Sequence, residues 1–340
     1  MSKIIFLGTD LHGKPTELAA KLVLSLRKSF PDSHLLSLEH RKQIISQEKC
    51  TVISTFSNKI VKRIYQGIKL FIELKKLRKE GYDTIVSVWT AWGAYHRKLF
   101  TWMKTKGFKI VFTVINNTND EKRMNYDVLG LADIIVVQSQ RAYEKIKRIL
   151  PKSKVVLIYP GVNLEIFGPS KKKYDLIIPS VPYKLNDFKS RGIDVVLKIL
   201  RDYKLSATII FRSKESYDYV KGLDIDNVEL FNKALNDEEL ARIMSQCKVM
   251  PLYYFDSPET PLSAIEGLAC GCNIVCSKNM GLGEILDDKK SGAVVQDEKT
   301  LREKIIEFIE EGKPLSSRKL AEKYFDQRDM LSKYKKILNT

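Results

Sequence analysis

Residues 257–271 read SPETPLSAIEGLACG, directly after an apolar run, Val249-Met250-Pro251-Leu252-Tyr253-Tyr254. Two prolines break the run and a helix is predicted to begin behind them. Thr260 is of a type that caps helices, and Pro261 suits a first helical position. Leu262 and Ser263 then present backbone N–H groups with no partner inside the helix. Together with the helix dipole they make an anion site at the carboxyl end of a strand. Glu266 lies four residues after Leu262, on the same helix face. A phosphate at the helix tip would leave this carboxylate a few ångströms further along, at the distance of a ribose. A carboxylate accepts two hydroxyl hydrogens, and a ribose offers two neighbouring hydroxyls. Ala264, Gly267, Ala269 and Gly271 are small and allow the helix to approach its sheet closely. The combination reads as a site for a nucleoside diphosphate.

Positioning such a site requires a parallel sheet, and the rest of the chain spells one out twice. Apolar, β-branched runs alternate with helical patterns, as in βαβ units. Strands are expected near 3–8, 34–38, 51–54, 83–89, 108–114, 133–138 and 154–158, then near 174–179, 207–212, 228–231, 248–253, 273–276 and 293–295. Helices are expected near 15–30, 59–80, 94–106 and 140–149, then near 191–202, 215–221, 237–245, 261–270, 282–286 and 298–311, with a last one over 317–338. The seam runs from Tyr159-Pro160-Gly161 to Pro169-Ser170 and the lysine run 171–173. The expected fold is α/β: two doubly wound, Rossmann-like domains facing across a cleft, with ligands beyond the carboxyl ends of the strands.

Composition narrows the function classes. The 340 residues are 44% hydrophobic, ample for more than one core. The apolar run at Ile4–Leu7 is too short for a signal peptide and fits a buried first strand. No stretch approaches the roughly 18–20 apolar residues of a membrane span. The expected location is the cytoplasm, within reach of the cytoplasmic face of the membrane. Five cysteines show no CxxC pair and read as reduced core residues. The net charge of +17 is uneven. Residues 1–160 hold 29 Lys and Arg against 13 Asp and Glu, a balance of +16; residues 161–340 hold 29 against 28, or +1. The first half is therefore suited to a polyanionic partner: an anionic membrane, a phosphorylated substrate or nucleic acid.

The stretch from Ser257 to Ser277, then Gly281 to Ile285 and Ser291 to Val295, resembles family 4 of the retaining glycosyltransferases (glycosyl transferases group 1). The family's pattern there is a Glu-bearing loop, LEAMACGxPVVAS, GGxxEII and dGxxGxLV. The resemblance extends further. Residues 131–139 (LADIIVVQS) are similar to an ADxVVVxS strand, residues 156–163 (VLIYPGVN) with Phe167 to a PNGVDxxxF hinge, Asn227-Val228 through Leu240 to NVxFxG…SDEEL, and Tyr82 through Trp89 to YDVVHxHW. The resemblance implies the GT-B fold, with an acceptor-side domain over 1–162 and a nucleotide-sugar-binding domain over 163–324. A C-terminal helix over about 325–340 would pack back on the first domain. It also implies a retaining glycosyltransferase, of the hexosyltransferase class, that uses a UDP- or GDP-sugar donor, with no cofactor or metal required.

Site residues carry over one at a time. In the family the second Glu of a Glu–seven residues–Glu pair binds the donor ribose, and Glu266 matches it. Strict register puts Pro258 at the first Glu, with Glu259 one residue late and Asp256 two early; Glu259 is the candidate to meet the donor sugar. The family's pyrophosphate-binding Arg and Lys precede a Gly at the start of the second domain. Here Arg191 precedes Gly192, and the other cation is Lys184 or else Lys189. Fixed positive charge at this place stabilises a departing nucleoside diphosphate. The family's glycine-rich loop after the first strand is diluted to Gly8 and Gly13, with His12 between them. Asn116 stands where the family often has a histidine, so a general-base histidine is missing. The resemblance implies that none is needed, since the leaving phosphate can take the acceptor's proton. His96 is a further acceptor-side candidate. Asp224-Ile225-Asp226 looks like a metal-binding DxD of the other glycosyltransferase fold but lies far along the chain from the donor pattern.

The acceptor belongs to the basic half. Residues 59–80 hold eight basic and two acidic residues, with Ile60, Ile64, Ile68, Phe71, Ile72 and Leu74 at helical spacing. Such a stripe either faces the core or lies on an anionic membrane. The expected acceptor is a glycan, a lipid-linked sugar or a protein. The competing reading is a basic nucleic-acid- or membrane-binding protein on the same scaffold without transferase activity. For nucleic acid it predicts cations interleaved with aromatics and a known binding module; neither is found, and residues 257–295 would go unexplained.

Overall fold

A computed structural model of the chain describes residues 3–7, 18–37, 49–53, 59–88, 96–115, 124–182, 184–255, 260–286, 290–311 and 314–339. The chain divides into two compact units, Met1–Tyr159 with Met330–Thr340, and Pro160–Asp329.

The first unit holds β1 (Lys3–Leu7), α1 (Leu18–Ser29), β2 (His34–Ser37), β3 (Cys50–Val52), α2 (Lys59–Lys79), β4 (Tyr82–Ser87), α3 (His96–Thr105), β5 (Lys109–Val114), α4 (Tyr126–Leu129), β6 (Ile134–Val137), α5 (Gln140–Ile149) and β7 (Val155–Leu157). Its sheet is parallel, in the order β3-β2-β1-β4-β5-β6-β7. Ile4 and Phe6 point to one face and Ile5 and Leu7 to the other, as a period of two demands. Both faces are covered: Ile4 and Phe6 join a core with Val23 and Leu26 of α1, and Ile5 and Leu7 join one with Leu70 and Leu74 of α2 and Phe100 of α3. Near-continuous apolar strands are what such double coverage requires.

The second unit holds β8 (Tyr174–Val181), α6 (Asp187–Ser190), α7 (Ile193–Asp202), β9 (Ala207–Phe211), α8 (Lys214–Lys221), β10 (Val228–Phe231), α9 (Asp237–Met244), β11 (Cys247–Leu252), α10 (Leu262–Ala269), β12 (Asn273–Ser277), a 3₁₀ turn over Gly281–Glu284, β13 (Gly292–Val295), α11 (Glu298–Glu311) and α12 (Pro314–Tyr324). Its parallel sheet runs β10-β9-β8-β11-β12-β13. The strand order therefore reverses between β8 and β11, where doubly wound sheets bind ligands. One face packs Ile178, Ile209 and Val249 against Val196 and Leu200 of α7 and Ile305 of α11. On the other, Gly267 of α10 lies so close to the sheet that a Cβ would come within 2.5 Å of Met250 Cε.

The helix expected over 317–338 is instead two, α12 and α13 (Gln327–Leu338), separated at Phe325-Asp326. Asp326 Oδ1 accepts the Arg328 N–H at 2.8 Å, and Asp326 bridges in parallel to Val162. From Met330 on, α13 belongs to the first unit, where Met330, Tyr334 and Leu338 are buried in the α1 core. On α2 the core face is Leu70, Leu74 and Leu77, whereas Ile68, Phe71 and Ile72 are exposed. The apolar stripe thus splits: Leu74 goes inward and three of its other members face outward. Four cysteines, Cys247, Cys270, Cys272 and Cys276, are buried and free, and Cys50 is half-buried. Burial pushes the Cys247 and Cys276 thiols up to about 12, so they stay protonated. Among the described residues no helix is long and apolar enough to cross a membrane.

Candidate nucleotide site

β11 ends at Leu252, and the three residues after it are clamped from both sides. The Phe255 N–H donates to Ser190 O at 2.9 Å, tying the segment to the loop behind β8. Ser277 Oγ, at the end of β12, donates to Tyr254 O at 2.5 Å, and Asn279 Nδ2 donates to Phe255 O at 3.3 Å. Gly192 closes the contact. Its φ is +58°, and a Cβ there would fall 2.3 Å from Tyr253 O, so this position admits no side chain.

Arg191, one residue earlier, is placed by that close approach. Its guanidinium carbon lies 4.7 Å from the Tyr254 ring centroid. Tyr254 is buried. Burial raises its phenol pKa above the ordinary value, and the charges of Arg191 and Arg212 act in the opposite sense. A cation is therefore held at the switch point between β8 and β11, over an aromatic face.

The helix behind β11 begins differently from the sequence expectation. Pro261 is the residue before the first turn rather than in it, with an extended ψ of 137°. The ring fixes φ near −64°, which the flanking position tolerates, and ψ then decides that the helix starts at Leu262. Pro261 O accepts from the Ala264 N–H at 3.1 Å and the Ile265 N–H at 3.4 Å. No carbonyl within the helix reaches the N–H groups of Leu262 and Ser263. The other end of α10 is held by cations: Lys172 Nζ donates to Cys270 O at 2.9 Å, and Arg318 Nη1 donates to Ala269 O at 3.2 Å. With its negative end neutralised, the positive end of the dipole is left to attract an anion. Glu266 is 3% exposed, in a helix whose residues from Ala264 to Ala269 are all buried. A buried carboxylate calls for fixed partners.

Arg191, Pro261, Leu262, Ser263 and Glu266 are thus brought to one sheet region by β8, β11 and the segments behind them. Lys184 is exposed in the turn before α6, its carbonyl accepting the Asp187 N–H at 3.0 Å. Lys189 lines a separate groove of about 380 Å³ with Leu197, Arg201 and Tyr219. Asp224 and Asp226 precede β10, the edge strand on the far side of β9 and β8 from β11. Among the described residues no group of three or more His, Cys, Asp or Glu side chains could hold a metal ion. Glu259, Gly13, His12 and Asn116 lie outside the described residues, as does the side chain of His96, whose backbone opens α3. Sequence reasoning missed Tyr254 and Arg212. Only the spacing of Arg212 from the end of a predicted strand could have flagged it.

Residues 189–327 match the family described as glycosyl transferases group 1. An uncharacterized glycosyltransferase of Methanocaldococcus jannaschii is 27% identical over 165 residues, 46% of this chain and 44% of that protein. A probable sucrose-phosphate synthase of Thermosipho melanesiensis is 26% identical over 233 residues, 63% of this chain and 51% of that protein. The alignments thus span about half the length of each relative. Among solved structures, the sucrose-phosphate synthase of Thermosynechococcus elongatus superposes with a TM-score of 0.76 at 16% identity, covering 99% of this chain and 98% of the other. Anabaena HepE, in complex with UDP and glucose, gives 0.72 at 13%, with all of both chains covered. The Arg191 loop, β11 and α10 all fall in the matched stretch: the chain has the GT-B fold, and its residues 189–327 match the glycosyl transferases group 1 family.

Proposed function

We propose that the protein is a retaining family 4 glycosyltransferase. It moves a hexosyl group from a UDP- or GDP-sugar to a glycan, lipid-linked or protein acceptor. The observation that carries this reading is the meeting, at the β8/β11 switch point and inside the matched stretch, of Arg191, the start of α10 and Glu266. HepE, a neighbour in fold, is described bound to UDP-glucose, which supports a uridine donor.

In this reading Glu266 accepts hydrogen bonds from the ribose hydroxyls, and the N–H groups of Leu262 and Ser263 face a phosphate. The acceptor oxygen bonds to the anomeric carbon as the bond to the diphosphate oxygen breaks. The acceptor's proton passes to that leaving oxygen on the same face. Arg191 and the helix start hold the charge as it develops. Glu259 is assigned to the donor sugar, and His12, Gly13, His96 and Asn116 to the donor loop and the acceptor side. Exposed Ile68, Phe71 and Ile72, with Lys69, Lys75 and Lys76 exposed on the same helix, support an acceptor presented at an anionic membrane surface.

The test is calorimetric titration with UDP, GDP, ADP and dTDP, then with the sugar forms of the base that binds. One nucleotide should bind, and Glu266→Gln should weaken it about 10- to 100-fold, the worth of charged hydrogen bonds. Thermal melting would show the fold intact. Binding of no nucleotide would sink the reading. Unchanged affinity in Glu266→Gln would remove Glu266 from the ribose.

A further inference from the structure

We propose that Arg212, directly behind the strand next to β8, is the second cation of the diphosphate site, paired with Arg191 and taking the role that the sequence assigns to Lys184 or Lys189. This rests on the nucleotide-sugar reading above and deepens it.

Phe211, the last residue of β9, is the register partner of Val181, the last residue of β8. Arg212 therefore emerges from the same sheet edge, one strand away from the loop that carries Arg191. Its backbone is fixed there from two directions. Ser213 caps α8, accepting the Ser216 N–H at 3.2 Å. Ser216 Oγ donates to Pro182 O at 2.6 Å, which stitches the β9–α8 turn to the segment leaving β8. Arg212 is exposed, while the backbone that carries it is anchored. Its charge reaches Tyr254, the buried ring that Arg191 covers from 4.7 Å.

Two guanidinium groups, one behind β8 and one behind β9, thus leave the same sheet edge, beside the segment that leads into α10. A diphosphate spreads its charge over two phosphates, and forked donors from two directions can hold both. The loop lysines are placed otherwise. Lys189 is turned to the groove beside Leu197 and Tyr219, and Lys184 is exposed in the turn before α6.

The experiment titrates the full chain with the nucleoside diphosphate that binds and with the matching nucleoside. Arg212→Gln, Arg212→Lys, Lys184→Ala and the charge control Lys214→Ala are compared, with melting curves for each. The expected result is a loss of about 10-fold or more in diphosphate affinity for Arg212→Gln, with nucleoside affinity unchanged and Lys214→Ala at the wild-type value. Arg212→Lys should recover part of the loss, which a folding defect would not permit. Wild-type diphosphate affinity in a folded Arg212→Gln, or a loss found in Lys184→Ala instead, overturns the assignment and leaves the nucleotide-sugar reading standing. A wild-type protein that binds no diphosphate overturns both.

Discussion

Gly192 decides where Arg191 can be. The residue is left-handed, and its missing side chain lets Tyr253 O approach to a distance at which a Cβ would sit 2.3 Å away. Gly192→Ala is expected to cost about 1–2 kcal/mol for the backbone alone, with more for the clash with the Tyr253 carbonyl. Denaturant unfolding of the second unit would measure it. Nucleotide affinity should fall together with stability, because relieving the clash displaces Arg191. Wild-type stability in this variant would mean that the loop relaxes freely, and the placement of Arg191 would need another cause. At this scale the sequence was partly legible. Glu266 and Arg191 stand at recognisable distances from prolines and glycines. Tyr254 does not, and Arg212 is marked only by its place at the end of a predicted strand, because local spacing says nothing of a partner that arrives from another strand.

Among the elements, α10 concentrates the most constraints. Its residues from Ala264 to Ala269 are buried, and carbonyls at its end are held from outside by Lys172 and Arg318. Arg318 also ties that end to a second segment: besides Ala269 O it donates to Leu164 O at 3.1 Å and to Phe167 O, so one guanidinium satisfies three carbonyls of two segments. Arg318→Ala should destabilise the second unit by about 2–3 kcal/mol, since buried carbonyls lose charged donors, and chemical denaturation would show it. Arg318→Lys should recover only a fraction, because an ammonium lacks the planar fork. A shift under 0.5 kcal/mol, within the spread of surface substitutions, would show that water replaces the guanidinium without loss. The alternating strands and helices of both sheets were readable from hydrophobic period. The break between α12 and α13 was not, since Phe325 keeps the apolar spacing and no glycine or proline interrupts it. Asp326, a capping type in mid-pattern, was the available sign.

For the molecule as a whole, the division of the chain matters most. The first unit is discontinuous: residues 330–340 return to it after the entire second unit. Met330, Tyr334 and Leu338 fill the core beside α1, and Tyr334 hydrogen-bonds Thr113 at 3.0 Å between buried hydroxyls. Burying three such side chains is worth roughly 5–9 kcal/mol as an upper bound, comparable with the whole stability of a domain. A chain ending at Asp329 should therefore keep amide-exchange protection in β8–β13 and lose it in β1–β7. Retained protection in β1–β7 would show that the other core contacts suffice. The same connectivity sets an order of events during synthesis. On the ribosome, the second unit has all its strands once β13 and α12 have emerged, while the first must wait with part of one face of its sheet, beside α1, uncovered. The amino-terminal half, made first, completes its folding last, and for that interval its apolar strands depend on chaperones or on speed.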